Sequence, residues 1–237
     1  MKVRRHLRPA PIGSSITVCA ACLAAALFSP ARLHADEFTQ TSHYSTRLFS
    51  FGTLVIEARM GDIRVEGWDE PHVEIEAEKT VRAGSEAKAK QLYGLIKIQL
   101  EGKDKVVRLR TIYPSRRLWR PFRDESKLSV NFRIKMPYDA NLILKCVDGD
   151  VRVAGLVGQE QLHVNYGDVE IDVPDVYRLR SLNAHSWLGY VESDLHGGMS
   201  QDSAGLQQRL TFWNSNGSQD ILVRVHMGGV WVYGEPQ

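Results

Sequence analysis

Three aspartates follow a glycine and precede an alternating apolar run: Asp62 in "ARMGDIRVEG", Asp150 in "KCVDGDVRVAG" and Asp168 in "VNYGDVEIDV". A carboxylate that recurs in one local context can hold a cation, act as a catalytic acid or base, or turn the backbone. Stacked at the ~4.8 Å spacing of neighbouring strands, two such carboxylates would repel, which raises a pKa or invites a cation. A turn needs less, because glycine accepts positive φ and aspartate hydrogen-bonds nearby backbone amides. Aligning Gly61, Gly149, Gly167, Gly189 and Gly228 puts Tyr190 and Gly229 where further aspartates would stand, so a regular ion ladder is interrupted. The G-G-x-G-x-D nonapeptide of calcium-binding rolls is absent. Gly61–Asp62, Gly149–Asp150 and Gly167–Asp168 are therefore read as structural corners.

Other reactive residues are weighed in the same way. His163 and His185 each lie four residues before a corner glycine, which places them on one outer strip with no cysteine or carboxylate at ligand spacing. Cys146 takes the register of Val164 and Val225 and reads as a small buried side chain. Ser186 lacks the first glycine of a nucleophile elbow, and no glycine-rich phosphate loop precedes the helix candidate. No sequence stretch shows acids gathered with Arg or Lys on one strip. The expectation is a chain with no catalytic residue, metal or cofactor.

These residues must be positioned by strands. Period-two alternation dominates, as in "KLSVNFRIKMP", with Leu128, Val130, Phe132, Ile134 and Met136 on one face. "IKIQLEGKDKVVRLRTIY" reads as a hairpin with Ile96, Ile98 and Leu100 inward. One short helix is expected near 85–94 in "GSEAKAKQLYG", capped by Ser85 and ended by Gly94. From residue 141 the corner glycines recur at about 20-residue spacing, with the 39 residues between Gly189 and Gly228 read as two units and a corner near Gly217. Units that cannot bury an apolar face alone must stack, which predicts an all-β, single-stranded right-handed β-helix, a β-solenoid.

The first 35 residues run from a basic start through a short apolar segment to a small-residue exit at Ala35, the pattern of a signal peptide. The expected domains are a leader at 1–35 and a β-helix domain at 36–237, with no transmembrane anchor once the leader is cleaved. The leader carries Lys2, Arg4, Arg5, Arg8 and Arg32 and no acid. Without these five, 25 basic residues face 28 acidic ones, so the net charge of +2 becomes −3. That balance argues against nucleic acid as a partner. One cysteine remains, too few for an internal disulfide.

"GDIRVEGWDEPHVEIEAEKT", a short helix, a hairpin and "KMPYDANLILKCVDGDVRVAGLVG" together resemble the bacterial adhesin-like β-strand-repeat domain family of unknown function, over most of 50–237. The resemblance implies an exported right-handed β-helix without established catalytic activity, and it supplies no functional residues.

Binding is then expected through the surface. In the last units the aspartates disappear and aromatics enter: Trp187, Trp213, Trp231 and Tyr233 are the first candidates, either for sugar or protein contact or as a cap on the final coil. The loop holding Arg116, Arg117, Trp119 and Arg120 is a second candidate contact. The expected role is a non-enzymatic adhesin or envelope module, periplasmic or outside the cell, with a surface glycan or envelope protein as partner. The alternatives are a carbohydrate-active enzyme, marked by carboxylates gathered with a basic residue in one groove, and a periplasmic scaffold or signalling partner of a membrane protein.

Overall fold

The computed structural model describes residues 36–103, 105–113, 128–196 and 198–234. The leader and the candidates Arg116, Arg117, Trp119 and Arg120 lie outside the described residues. Ala35–Gln237 forms a compact unit with its own core. Its strands in chain order are β1 (Asp36–Arg47), β2 (Thr53–Met60), β3 (Ile63–Trp68), β4 (His72–Ala83), β5 (Lys97–Lys103), β6 (Val106–Ile112), β7 (Leu128–Pro137), β8 (Asn141–Asp148) and β9 (Val151–Ala154). They continue with β10 (Glu160–Tyr166), β11 (Val169–Val173), β12 (Leu179–Leu188), β13 (Val191–Ser193), β14 (Met199–Ala204), β15 (Gln207–Trp213), β16 (Gln219–Met227) and β17 (Val230–Gly234).

The alternation read from the sequence holds. Leu128, Val130, Phe132, Ile134 and Met136 are all buried on β7, and the matching residues of β2, β8, β10 and β16 are buried too. They belong to two mixed sheets whose inward side chains form one core. The eight-stranded sheet runs β1-β4-β7-β3-β9-β11-β17-β13, and the nine-stranded sheet runs β14-β15-β12-β16-β10-β8-β2-β6-β5. At each corner glycine the chain leaves the larger sheet and enters the smaller: β2 to β3, β8 to β9, β10 to β11, β12 to β13 and β16 to β17.

This architecture corrects the expected right-handed β-helix. A β-helix lays its coils down in chain order, whereas here β16 and β17, last in the chain, insert between β10 and β12 and between β11 and β13. Antiparallel pairs also flank the parallel strands in both sheets. The physical origin lies in the 39-residue interval. Its first half is the β14–β15 hairpin, which takes the open edge of β12, so the returning chain can only pair on the other side of β12. Gly217 is not a corner between sheets. It crosses the start of β12, where a Cβ would strike the backbone of Leu179 and Arg180. Ser218 N and Gln219 N both donate to Arg178 O, at 2.8 and 2.9 Å.

The single helix of the described residues, α1 (Glu86–Leu95), is N-capped by Ser85, whose hydroxyl accepts from Lys88 N at 3.4 Å. It continues one residue past Gly94, and Ala89 and Leu92 enter the core. Lys79, on the inward side of β4, donates to the C-terminal carbonyls of Tyr93 (3.4 Å) and Ile96 (2.9 Å), where a cation opposes the helix dipole.

Candidate functional site

The Gly-Asp corners are held by a hydrogen-bond relay. Asp62 N donates to Asn131 Oδ1 (3.1 Å), Asp150 N to Asp62 Oδ1 (3.1 Å), Asp168 N to Asp150 Oδ1 (2.9 Å) and Gly229 N to Asp168 Oδ1 (2.7 Å). Each carboxylate satisfies the amide that begins the next strand. Gly149 and Gly167 have φ of +147° and +132°, and a Cβ on either would meet the preceding corner's carbonyl. The relay ends where Gly229 lies under the Tyr190 ring, which leaves no room for an aspartate side chain. A parallel relay ties the other end of the larger sheet. Gln159 N donates to Asn141 Oδ1 (2.9 Å) and Asp220 N to Gln159 Oε1 (3.1 Å), while Asp220 accepts from Arg180 and Ser181.

His163 and His185 share one outer row of the larger sheet, as expected, but Arg224 on β16 stands between them. Two strand spacings, about 10 Å, separate the two rings, too far to share an ion. Burial, then the charges beside them, holds both below the ordinary imidazole range: Arg224 and Lys145 act on His163, Arg209 and Arg224 on His185. Cys146 is buried, and burial pushes its thiol up to about 11, which leaves little thiolate for nucleophilic work.

The four aromatic candidates do not form one patch. Trp187 and Trp213 are on strands of the larger sheet, where Trp213 pairs with Ser181, six residues and about 20 Å along β12 from Trp187. Trp231 and Tyr233 are on β17 of the smaller sheet. They do not cap the last coil, because β17 lies between β11 and β13. Trp231 meets Tyr190 edge-to-face at 4.9 Å.

The smaller sheet's outer face carries a feature that the sequence reading denied, a strip where acids and arginines meet. Cross-strand register aligns Glu76, Arg133, Arg64, Arg152, Glu170 and Trp231 on β4, β7, β3, β9, β11 and β17. Arg133 binds Glu76 at 2.8 Å, and Arg152 binds Asp172 at 3.1 Å and Glu170 at 3.4 Å. Arg64, between the two paired arginines, forms no ion pair among the described residues. Two shallow hollows, of about 680 and 530 Å³, meet at Arg64 and Arg152. The first reaches Glu74 and Lys135, and the second reaches Trp231 and Tyr233. The strip was hidden in the sequence because its members come from six strands, and only the sheet order makes them neighbours.

Sequence reasoning also missed a buried polar pair inside the core. Gln219 Nε2 donates to Glu160 Oε1 at 3.0 Å and to Leu156 O at 3.1 Å. Glu160 Oε2 and Gln219 Oε1 have no partner. Burial pushes the Glu160 carboxyl up to about 8 against the smaller opposing effect of the Gln219 bond, so the neutral acid is favoured at pH 7.

No family model matches the chain, and no curated protein matches it significantly. Several solved structures resemble it, three of them described as adhesion proteins. A candidate cell adhesion protein of Clostridium sporogenes is 11% identical, with 83% of this chain and 100% of that one covered and a TM-score of 0.48. A candidate adhesin of Bacteroides fragilis is 9% identical over 83% of this chain and 97% of that one, with a TM-score of 0.25. A candidate adhesin of Parabacteroides merdae is 11% identical over 65% and 69%, with a TM-score of 0.19. Likenesses at these levels transfer neither residues nor a ligand to this chain. Among the described residues, no helix is long and apolar enough to cross a membrane.

Proposed function

We propose that the chain is an exported, non-catalytic envelope or surface module of adhesin type, binding an acidic glycan along the outer face of its smaller sheet. The observation that carries this reading is Arg64, a guanidinium without an ion pair among the described residues, held between Arg133 and Arg152 on neighbouring strands. A carboxylate or sulfate can take its fork bidentately. The flanking Glu76, Glu170 and Asp172 offer acceptors to sugar hydroxyls. Trp231 stands about 14 Å from Arg64, three strand spacings away, and with Tyr233 two residues on it offers an apolar platform for a further ring. The leader supports export.

The same strip favours one second reading, a carbohydrate-active enzyme, since carboxylates and basic residues do meet in one groove. Screening residues 35–237 against acidic and neutral oligosaccharides separates the two. The binding reading expects capture of acidic members without chain cleavage, lost in Arg64→Ala and weakened in Trp231→Ala/Tyr233→Ala. Depolymerised product that disappears in Glu66→Gln or Glu74→Gln, two acids lining the first hollow, would establish the enzyme instead.

A further inference from the structure

The corner edge of the larger sheet changes character along its length. At the β2–β8 end it carries Asp62, Asp148 and Asp150, all solvent-accessible, and Asp168 continues the acids to the β10 corner. At the β10–β16–β12 end the residues before the corner glycines are Tyr166, Met227 and Leu188, all exposed. Trp187 (49% exposed) and Tyr190 flank Leu188, and the β14–β15 turn adds Leu206 (72% exposed), whose carbonyl accepts from Gly189 N at 3.5 Å. Six apolar or aromatic side chains thus share one exposed edge, a grouping that marks an interaction site on a soluble domain.

Behind this edge runs a row of basic residues. Register aligns Arg209, His185, Arg224, His163 and Lys145 on β15, β12, β16, β10 and β8. The row lies three residues from the edge, about 10 Å, and parallel to it. Among the described residues, Arg209, Arg224 and Lys145 form no ion pair. Asp202 stands across from Arg209 on β14, and Glu57, next after Lys145, is held by Arg110 at 2.7 Å.

We propose that this edge docks on an anionic lipid bilayer, with Tyr166, Met227, Leu188 and Trp187 entering the acyl boundary and the basic row lying among the headgroups. The separation suits the depth, since interfacial segments bury about 5–10 Å of apolar surface while basic residues meet anionic headgroups above it. A soluble polyanion would engage the cations and leave the apolar edge in water. A single-stranded nucleic acid needs aromatics spaced along its track for successive bases, and here the aromatics line the edge instead. The histidines make the docking acid-sensitive. Burial first, then Arg224 and Lys145 beside His163 and Arg209 and Arg224 beside His185, holds both imidazoles below their ordinary range, and they add charge to the row as the pH falls.

Co-sedimentation of residues 35–237 with vesicles tests this. The leader is omitted because its apolar run would itself enter lipid. Mixed phosphatidylcholine–phosphatidylglycerol vesicles are expected to bind roughly tenfold or more tightly than phosphatidylcholine alone, more strongly at pH 5 than at pH 7, and less in high salt. Arg209→Glu/Arg224→Glu and Leu188→Ser/Met227→Ser should each lose roughly tenfold in affinity with unchanged circular dichroism. Arg64→Ala should bind vesicles as wild type does, which separates this surface from the glycan strip. No preference for anionic vesicles, or wild-type binding by either double variant, overturns the proposal. So does equal capture by a soluble sulfated polysaccharide that Leu188→Ser/Met227→Ser leaves intact, which would make the partner a free polyanion.

Discussion

Asp150 shows how a residue that could do chemistry is used for structure. Its Oδ1 accepts Asp168 N while its own N–H reaches Asp62 Oδ1, so it needs an acceptor oxygen and not a charge. Asp150→Asn should leave thermal stability within about 0.5 kcal/mol, whereas Asp150→Ala should cost about 0.5–1.5 kcal/mol by removing that acceptor. A cation site would rank the two variants together. Glu160 makes the opposite case, a carboxyl that works by staying neutral. Its folded pKa of about 8 lies above the ordinary ~4.3, so the folded state holds a proton that the unfolded state releases. Its contribution is therefore complete below about pH 4.3 and is lost as pH rises toward and through about 8. Glu160→Gln, whose amide can donate to Gln219 without titrating, should flatten that decline in urea denaturation curves between pH 5 and pH 9. The corner role of the aspartates was legible because glycine and aspartate carry it locally. Glu160 was not, since a lone acid on an alternating strand reads as solvent-facing until its register with Gln219 is known.

At the scale of elements, the strands were legible and their order was not. Alternation states which face of β7 or β16 is inward, but pairing partners depend on where the returning chain finds an open edge. The equal spacing of the corner glycines suggested a coil, and the hairpin β14–β15 overturned it by occupying the edge of β12. Truncation after Trp213 measures the difference. In a β-helix it would remove a terminal coil and leave the rest folded. Here it removes an interior strand from each sheet, β16 and β17, so the shortened chain should lose its cooperative thermal transition. Hydrogen exchange should likewise find β16, bonded on both sides, among the slowest strands, and β14 and β5 at the sheet edges among the fastest.

The whole molecule presents two outer faces with different chemistry on one core. The smaller sheet offers arginines and acids in a strip that ends at Trp231 and Tyr233. The larger sheet offers unpaired cations beside an apolar edge. Trp187 and Trp231 take outward positions because alternation fixes facing, but their separation onto different sheets required the fold. Arg64 could not be singled out from sequence at all, since its neighbours Arg133 and Arg152 are 69 and 88 positions away in the chain. Charge-assisted hydrogen bonds are worth about 1.5–3 kcal/mol, so deleting one at the centre of the strip should weaken binding roughly tenfold to hundredfold. The most direct measurement is titration calorimetry of residues 35–237 with the acidic oligosaccharide captured best, comparing wild type with Arg64→Ala. The account predicts that loss of affinity with an unchanged melting temperature, and equal affinity in the two proteins, or no acidic glycan bound by either, would contradict it.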